Sequence, residues 1–330
     1  MIADIIVDLQ YGDCGKGKVA HHLCKKNNYT HVIRYNGGCN AGHTIYHEGV
    51  KFVTHHIPCG VFFGIPSIIG PGCVVDPTQF LKEVEELKLA GIDTSQIFIS
   101  TNTHIITDFH KIQDSKDTEI GTTKKGNGPA YRDKYGRKGV RAVQVPELAD
   151  FLIDIYDELH VNSDNPVILF EGAQGFGLDI DWGDYPYVTS SHCTAGSALL
   201  NGVPPQAVRD VWGVAKIYET YVGAKDFEGK DPVFEEIREL GQEYGATTGR
   251  PRQINWLDFD LLRMSSKING ITKLVINKFD ILEKMNVWKL FDGIQLFEFD
   301  CGDDMQHWIE ENITSSYLEE IFFSRSPEYI

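Results

Sequence analysis

The sequence has no long hydrophobic run, no closely spaced pair of cysteines and little positive charge. None of its apolar stretches approaches the roughly 20 residues that a membrane-spanning helix needs. Its 7 cysteines are an odd number without a C-x-x-C pair, which fits neither a disulfide framework nor a zinc site. The net charge of −16 would repel a nucleic acid duplex or an anionic membrane. Together with an amino terminus that shows no basic leader, these features predict a cytoplasmic protein with reduced thiols.

What the sequence does have is ample apolar material in short runs. At 330 residues and 42% hydrophobic composition, the chain can form a large core. Helical patterns occur at Pro77–Leu89 and Glu147–Leu159, and a final helix is predicted at Met305–Phe322. The alternation predicts an α/β fold with a large, mostly parallel central sheet flanked by helices, in a single domain over residues 1–330. The predicted strands are Ile2–Val7, His31–Arg34, Ser67–Ile69, Ile97–Ser100, Val167–Phe170 and Leu274–Ile276.

The first predicted strand runs into a glycine-rich loop that nearly matches a nucleotide-binding P-loop. Gly12, Gly17 and Lys18 satisfy G-x-x-x-x-G-K, but Val19 stands where Ser or Thr would supply a hydroxyl to Mg²⁺. Asp13 is the nearest carboxylate that could bind the metal instead. The loop N–H groups lead into a helix N-terminus, which predicts phosphate binding. The alternative is a glycine-rich turn with two solvated lysines.

Two further segments combine glycines or basic residues with side chains that can bind a ligand. Residues 35–44 place Asn40 and His43 beside three glycines, so an amide and an imidazole can approach a ligand closely. A histidine is more often structural, and that alternative stays open for His43. Residues 121–141 combine Thr hydroxyls with many Lys and Arg, which suits a phosphate or, alternatively, forms a solvated basic face.

Three later segments indicate contacts to a base and to a carboxylate. Gln174 follows the predicted strand Val167–Phe170, where its amide could contact a base edge. The guanidinium groups of Arg250 and Arg252 have the forked geometry that matches a carboxylate. Residues 277–280 match the N-K-x-D sequence of GTP-binding proteins, whose Asp accepts two hydrogen bonds from guanine.

A GTP-dependent switch protein is the distant alternative, because the chain has both a phosphate loop and an N-K-x-D sequence. Such a switch needs a D-x-x-G sequence after an apolar strand in order to sense the γ-phosphate. The candidate here, Asp133–Gly136, lies in a charged loop with no strand before it. The sequence therefore favours an enzyme.

Taken together, the motifs resemble those of the adenylosuccinate synthetase family, from Gly12 to Pro327. The resemblance implies a P-loop-like nucleotide-binding architecture. It also implies a ligase that joins L-aspartate to C6 of a 6-oxopurine nucleotide through a 6-phosphoryl intermediate. The matching segments are G-D-x-G-K-G-K from Gly12, N-A-G-H-T from Asn40, G-T-T from Gly121, G-P-A-Y from Gly128, E-G-A-Q-G from Glu171, Y-P-Y-V-T-S from Tyr185 and A-T-T-G-R from Ala246.

The resemblance implies three catalytic residues and a magnesium ion. Asp13 would take the proton from purine N1 and, with the backbone carbonyl of Gly42, would bind Mg²⁺. Purine O6 would then attack the γ-phosphate, while His43 donates to the developing charge and Lys134 supports the phosphates. Attack of the aspartate amine on C6 would expel the new phosphate.

A homodimer and three sets of binding residues are also implied by the resemblance. Arg137 would cross to the site of the other subunit. The triphosphate set is Gly12, Cys14, Gly15, Lys16, Gly17, Lys18, Gly42, His43, Thr44, Lys278, Asp280, Ser324, Ser326 and Pro327. The purine monophosphate set is Asp13, Asn40, Thr122, Thr123, Arg137, Gln174, Thr189 and Arg250, and the aspartate set is Thr247, Thr248, Arg250 and Arg252.

Departures from the family pattern bear on the substrates. The chain is shorter than the usual bacterial enzyme, Cys14 replaces a loop Glu, and Pro251 interrupts a run of arginines. The tail has Ser326 where the family has a Gly against guanine, which puts a side chain at the base despite Asp280. A short member with altered base preference resembles the bacteriophage branch. We therefore expect dGMP with ATP or dATP, giving 2-amino-2'-deoxyadenylosuccinate for 2-aminoadenine DNA in a host cytoplasm. The alternative is the use of IMP and GTP.

Overall fold

The structure is a computed structural model and describes residues 1–245 and 249–330. Its strands are β1 (Ile2–Asp8), β2 (His31–Arg34), β3 (His43–His47), β4 (Val50–Thr54), β5 (Ser67–Ile69), β6 (Val74–Val75), β7 (Ile97–Ser100), β8 (His104–Ile105), β9 (Leu152–Ile153), β10 (Val167–Glu171), β11 (Val208–Lys216), β12 (Tyr218–Tyr221), β13 (Gln253–Asp258), β14 (Lys273–Asn277), β15 (Lys289–Phe291), β16 (Leu296–Glu298) and β17 (Glu320–Phe323). Its α-helices are α1 (Lys16–Lys26), α2 (Pro77–Leu89), α3 (Asp108–Asp114), α4 (Asn127–Tyr135), α5 (Ile155–His160), α6 (Val233–Gly241), α7 (Phe259–Asn269), α8 (Phe279–Met285) and α9 (Gly302–Asn312).

A parallel sheet forms the centre of the molecule, in the order β17-β14-β11-β1-β10-β2-β5-β7-β9. The ladders between these strands are all parallel. Strand β1 lies between β10 and β11, so the chain winds away from the centre in both directions. Loops at the carboxyl ends of such strands form the ligand crevice of open α/β sheets. The predicted α/β fold is confirmed.

Apolar side chains on both faces explain why the central strands are buried. In β1, Ile5 and Val7 belong to the core cluster on one side of the sheet, and Ile6 belongs to the cluster on the other. The alternation follows the period of two of a β-strand. Parallel strands covered by helices on both faces read as continuous hydrophobic runs, which is the pattern that revealed six strands of the central sheet.

Local signals in the sequence explain why helix α2 has the bounds that were predicted for it. Helix α2 spans Pro77–Leu89 as predicted, because Asp76 caps it by accepting from the N–H of Thr78 at 3.1 Å. Pro77 occupies the first turn, where its missing N–H costs nothing. The glycine-rich loop predicts a helix that starts near Lys18, and helix α1 begins two residues earlier, at Lys16.

The predicted helix at Glu147–Leu159 is wrong in its first part and confirmed only from Ile155 onwards. A 3₁₀ turn covers Pro146–Phe151, and the short strand β9 then pairs with β7 at the edge of the sheet. Helix α5 starts only after Asp154, whose carboxylate accepts from the N–H of Tyr156 at 2.8 Å. The cap and the edge pairing together outweigh the helical spacing of the apolar residues.

The predicted helix at Met305–Phe322 is also wrong in its second half. Helix α9 ends at Asn312, and Glu320–Phe323 forms β17 beside β14. The free edge of β14 provides hydrogen bonds for an extended segment, so tertiary pairing overrides the local pattern. Among the helices of the described residues, none is long and apolar enough to cross a membrane.

Candidate active site

The loop after β1 is folded around the carboxylate of Asp8. Asp8 Oδ1 accepts from the N–H groups of Gln10 and Gly12, each at 3.1 Å, and Oδ2 accepts from that of Cys14 at 3.0 Å. The ammonium of Lys16 also contacts Oδ2, at 2.9 Å, and neither charged side chain is more than 3% exposed. Three of the loop N–H groups therefore bind Asp8, and the N–H groups at the start of α1 are left for a phosphate.

Asn277, at the end of β14, fixes the other side of this loop. Its Nδ2 donates to the carbonyl oxygen of Cys14 at 2.6 Å. Gly15 has a φ of +103°, and a Cβ there would lie 2.8 Å from Asn277 Nδ2. Glycine therefore satisfies both the backbone conformation and the space.

Several residues predicted to bind the triphosphate meet around Lys18. Lys18 Nζ donates to Ser324 Oγ at 2.7 Å and to the carbonyl oxygen of Ser326 at 2.9 Å. These bonds tie the tail, which continues to Pro327, to helix α1. Burial and the nearby charge of Lys278 lower the pKa of Lys18 to about 8. The tail and the phosphate loop thus form one wall of the candidate site.

Lys278 and Asp280 lie at the start of α8, beside this wall. Lys278 adopts a left-handed conformation with φ +68°, and its Nζ donates to the carbonyl oxygen of Gly241 at 2.7 Å. Asp280 accepts from Lys284 at 2.8 Å and acts electrostatically on Lys18. The structure therefore brings the N-K-F-D segment to the predicted triphosphate residues.

His43 lies in a buried cluster with Arg34 and Glu171. Its Nδ1 is hydrogen-bonded to Glu171 Oε1, and Arg34 NH2 contacts the same oxygen at 3.1 Å. Arg34 NH1 lies 3.3 Å from His43 Nε2. Burial and Arg34 lower the pKa of His43 to about 4, so the imidazole is neutral at neutral pH. Both ring nitrogens face protein groups, and donation by His43 to a transferring phosphoryl group stays a prediction.

The segment that carries Gly42, His43 and Thr44 lies over the start of α1. A Cβ at Gly17 would come within 3.1 Å of both His43 Cβ and the carbonyl oxygen of Thr44. The absence of a side chain at residue 17 therefore permits this second predicted segment to approach the phosphate loop.

Asn40 and Gln174, both predicted to bind the monophosphate, are in contact. Gln174 Nε2 donates to Asn40 Oδ1 at 3.2 Å, and the amide of Asn127 donates to the same oxygen. Within the described parts of the chain, Gln174 Oε1 is buried and has no hydrogen-bond partner. A buried acceptor of this kind is costly unless a ligand or water donates to it. Thr189 lies in the loop after β10, where its N–H donates to the carbonyl oxygen of Leu178 at 2.8 Å.

Arg250 lies against the loop that precedes α4. Its NH1 is 3.5 Å from the carbonyl oxygen of Gly121, and Thr122 and Thr123 follow directly in the chain. Three residues predicted to bind the monophosphate thus lie on neighbouring loops.

A backbone hydrogen bond closes the base of the loop that carries the predicted aspartate residues. The N–H of Arg252 donates to the carbonyl oxygen of Glu243 at 2.9 Å. Thr247 and Thr248, which belong to the predicted aspartate set, lie outside the described residues.

An ion pair joins Asp13 of the phosphate loop to Arg252. Arg252 NH2 lies 2.7 Å from Asp13 Oδ2, and NH1 contacts the fully buried carboxylate of Glu243. Burial raises the pKa of Asp13, but Arg252, Lys216 and Lys16 together bring it below its usual value. The predicted base is therefore ionised at neutral pH and contacts a residue predicted to bind aspartate.

Lys134 and Arg137 lie away from these contacts, on and just after α4. Lys134 Nζ donates to the carbonyl oxygen of Pro71 at 2.6 Å, and burial lowers the pKa of Lys134. Arg137 is exposed, with φ +60°. Within residues 1–245 and 249–330, no hydrogen bond or ion pair joins either side chain to the phosphate loop. Support of the phosphates by Lys134 and crossing of Arg137 between subunits stay predictions.

One cluster in the described chain is compact enough to hold a cation, and it is not the predicted metal site. It consists of Asp179, Asp181 and His192, and excludes Asp13. Asp179 Oδ1 already accepts from the N–H groups of Asp181 at 2.9 Å and Trp182 at 3.2 Å. Since acidic side chains often cluster without a metal, we assign no ion to this group.

Several buried charges that shape the site were not assigned a role from the sequence. Asp8, Glu171 and Lys216 each end a strand of the central sheet. A charged residue at the end of an apolar run is unusual, and that signal could have revealed Asp8 and Glu171. Glu243 gives no such signal, because it follows α6 in a polar segment and meets Lys216 only in the folded chain.

Comparison with known proteins agrees with this geometry. A model of the family described as "Adenylosuccinate synthetase" matches residues 5–151 and 144–296. The adenylosuccinate synthetase of Chlorobium chlorochromatii is 38% identical over 391 residues, covering 97% of this chain and 90% of that protein. That of Picrophilus torridus is 39% identical, covering 87% of this chain and 79% of that protein.

The chain belongs to the adenylosuccinate synthetase family.

Solved structures agree with this membership. The fully ligated adenylosuccinate synthetase of Plasmodium falciparum matches with a TM-score of 0.85 and 28% identity, covering 98% of this chain and 97% of that one. The succinoaminodeoxyadenylate synthetase of cyanophage S-2L, bound to dGMP and dATP, matches with a TM-score of 0.77. At 22% identity, over 99% of this chain and 93% of that one, the second match shows a shared fold alone.

As a synthetase of this family, the protein is a ligase that joins aspartate to a purine nucleotide. Its substrates are a purine nucleoside monophosphate, a nucleoside triphosphate and aspartate. The predicted family and reaction class are confirmed, and an enzyme is favoured over a GTP-dependent switch.

Proposed function

We propose that the protein forms adenylosuccinate from IMP, L-aspartate and GTP. The contact of 2.7 Å between Asp13 and Arg252 carries this proposal, because it joins the proposed N1 base to a proposed aspartate-binding residue. Relatives with 38% and 39% identity are adenylosuccinate synthetases, whereas the enzyme bound to dGMP and dATP is 22% identical. The use of dGMP and ATP, expected from the sequence, is therefore the less supported of the two alternatives.

The proposed chemistry begins with the ionised carboxylate of Asp13. Asp13 takes the proton from N1 of IMP, and the electron pair moves to O6. O6 attacks the γ-phosphate of GTP and GDP leaves. The amine of aspartate then attacks C6, inorganic phosphate leaves with the C6–O6 bond, and the amine gives up a proton. Phosphorylation makes the reaction possible because phosphate is a far better leaving group than the unmodified oxygen.

Mg²⁺ fits the oxygen donors proposed to bind it. Asp13 contacts Arg252 through Oδ2 and keeps 35% of its side chain exposed at the rim of the phosphate loop. Together with the backbone carbonyl of Gly42, it provides the hard oxygen ligands that Mg²⁺ prefers. When bound, the ion would offset the negative charge of the transferring phosphoryl group.

The residues around the start of α8 support GTP as the phosphoryl donor. Asp280 follows Lys278 by two positions, and its side chain is 19% exposed while it pairs with Lys284. A carboxylate there can accept from N1–H and the 2-amino group of guanine, whereas adenine offers no such pair of donors. Lys18 and the tail that it binds lie beside this point.

Ser326 favours a second candidate, in which dGMP reacts with ATP or dATP. A side chain at this position occupies space where a glycine would allow a base to approach closely. The Oγ of Ser326 accepts from the N–H of Glu328 at 3.1 Å, so the hydroxyl serves the turn of the tail. We retain this candidate as the alternative outcome of the experiment below.

A homodimer is part of the proposal, supported by the position of Arg137. The side chain is exposed after the end of α4 and has no ion pair within the described residues. An arginine that reaches a phosphate of the other subunit would be presented in this manner.

A matrix of substrates tests the proposed function. With aspartate and Mg²⁺ present, IMP, GMP and dGMP are each combined with GTP, ATP and dATP, and phosphate release and product are measured. We expect turnover with IMP and GTP. Turnover with dGMP and ATP, but none with IMP and GTP, would refute the proposal and support the second candidate.

Two variants, measured with the same substrates, test the roles of single residues. Asp13→Ala should remove most turnover while IMP still binds, whereas the exposed control Asp164→Ala should retain full activity. Ser326→Gly should shift the preference of the enzyme towards GTP. Unchanged turnover in Asp13→Ala would exclude Asp13 as the base, and an unchanged preference would show that Ser326 does not contact the base.

A further inference from the structure

Glu243 is a buried carboxylate on which several cationic side chains converge. Lys216 Nζ lies 2.8 Å from Oε2, and the hydroxyl of Tyr218 donates to Oε1 at 2.7 Å. Arg252 NH1 contacts Oε2, and Lys278 Nζ is 4.0 Å from Oε1. These cations hold the pKa of Glu243 at about 2 despite its burial. Nothing in the family resemblance gives Glu243 a role.

The guanidinium of Arg252 contacts two carboxylates, and one of its three nitrogens has no partner among the described residues. NH1 contacts Glu243, and NH2 contacts Asp13 at 2.7 Å. Nε is buried and has no hydrogen-bond partner in the described chain. Nε and NH2 form the side edge of a guanidinium, which can bind a carboxylate with two parallel hydrogen bonds. Elsewhere in this protein, Arg209 binds Asp4 through the same two nitrogens.

We propose that Glu243 is a positioning residue, which holds Arg252 by NH1 so that the Nε–NH2 edge can exchange Asp13 for a carboxylate of substrate aspartate. This inference rests on the proposed function and concerns the order of events at that site. While the edge contacts Asp13, the base is held away from the purine. When substrate takes the edge, the contact between Arg252 NH2 and Asp13 Oδ2 is broken and the carboxylate of Asp13 is released towards the purine.

The fixed position of NH1 is what makes this exchange easy. With NH1 on Glu243, only NH2 contacts Asp13, so the incoming carboxylate displaces a single charged hydrogen bond and gains the unpaired Nε donor. Without Glu243, the planar group can turn and bind both oxygens of Asp13. Substrate must then displace two bonds. Removal of the negative charge at residue 243 is therefore expected to weaken aspartate binding although it removes no substrate contact.

The test compares Glu243→Gln with wild-type enzyme in steady-state kinetics and in calorimetric titrations with aspartate in the presence of IMP. We expect the KM and the dissociation constant for aspartate to rise about tenfold or more, the factor given by one charge-assisted hydrogen bond. The dissociation constant for IMP should change less than about twofold. A general structural defect would instead weaken the binding of IMP as well. The control Glu239→Gln makes the same charge change at the exposed carboxylate bonded to Tyr244.

A second variant keeps the proposal testable if Glu243→Gln alone fails to fold, since it leaves Lys216 buried and unpaired. The double variant Lys216→Met with Glu243→Gln removes both buried charges and should fold while still weakening aspartate binding. Wild-type affinity for aspartate in the folded variants would overturn the inference, as would equal weakening of IMP and aspartate. Because titration does not require turnover, these results are distinct from a failure of wild-type enzyme to make adenylosuccinate, which would refute the proposed function.

Discussion

Asp8→Asn should loosen the phosphate loop and lower both stability and triphosphate affinity. Asp8 accepts three loop N–H groups and the ammonium of Lys16, and its side chain is fully buried. An asparagine has nearly the same shape, but its amide nitrogen cannot accept a hydrogen bond. One side of the residue would therefore face N–H groups with another donor, and Lys16 would be left buried beside a neutral group.

The magnitude follows from the loss of one partner of a buried ion pair, which costs about 3–5 kcal/mol. For 330 residues the entropy of unfolding is about 0.7 kcal/mol/K, so the thermal midpoint should fall by about 4–7 °C. Differential scanning calorimetry measures this shift, and titration with GTP measures the affinity. Asp164→Asn, at an exposed position, is the control and should leave both unchanged. A shift below about 1 °C with full GTP affinity would refute the claim that Asp8 organises the loop.

Three further predictions concern pH, subunit crossing and the phosphate loop. Burial lowers the pKa of His56 to about 3, and its Nε2 accepts from the N–H of Asp76 at 3.3 Å. The unfolded chain therefore binds a proton that the folded protein excludes, and stability should fall as the pH drops below about 6.5. His56→Gln should reduce the pH dependence of the free energy of unfolding by about 1.4 kcal/mol per pH unit between about pH 6 and 4. An unchanged pH dependence in urea unfolding would contradict this. Arg137→Leu and Asp13→Ala should each be nearly inactive, yet a mixture should regain about a quarter of wild-type activity if the site of one subunit uses Arg137 of the other. Asn277→Ala should raise the KM for GTP about tenfold, because the loop loses a buried hydrogen bond of 2.6 Å, and an unchanged KM would show that the bond is dispensable.

The fold was predictable where burial made the signal simple. Strands in the middle of a parallel sheet are covered on both faces, so each appears as an apolar run, and six such runs match strands of the sheet. The edge strands β9 and β17 were not predicted, because they are short and partly exposed. Strand β11 was not predicted either, although it adjoins β1, since Arg209 and Asp210 interrupt its apolar pattern.

The candidate site was predictable as a set of loops, but its contacts were not. Glycine-rich motifs indicate which segments approach a ligand, and Asn40 and Gln174 do meet as two residues of one predicted set. The pairing of Asp13 with Arg252 joins segments that are far apart in sequence, and no spacing rule connects them. The burial of His43 with Glu171 and Arg34 depends likewise on how the loop packs.

A row of buried polar residues at the strand ends explains why the sequence indicated the ligand-binding motifs but not the residues that hold those motifs in place. Across the sheet, the adjacent strands β14, β11, β1, β10 and β2 end in Asn277, Lys216, Asp8, Glu171 and Arg34, each at most 4% exposed. None of these side chains is free: each bonds to a loop residue, to a neighbouring strand end or to a carboxylate beyond the sheet. Burying so many charged groups costs desolvation energy that apolar residues would avoid, so a role in fixing the loops is the simplest reason for their presence. The loops carry the groups that bind ligands, and the row determines where those groups stand. Substitutions in the row should therefore alter affinity for several substrates together, whereas substitutions in one loop should alter affinity for one.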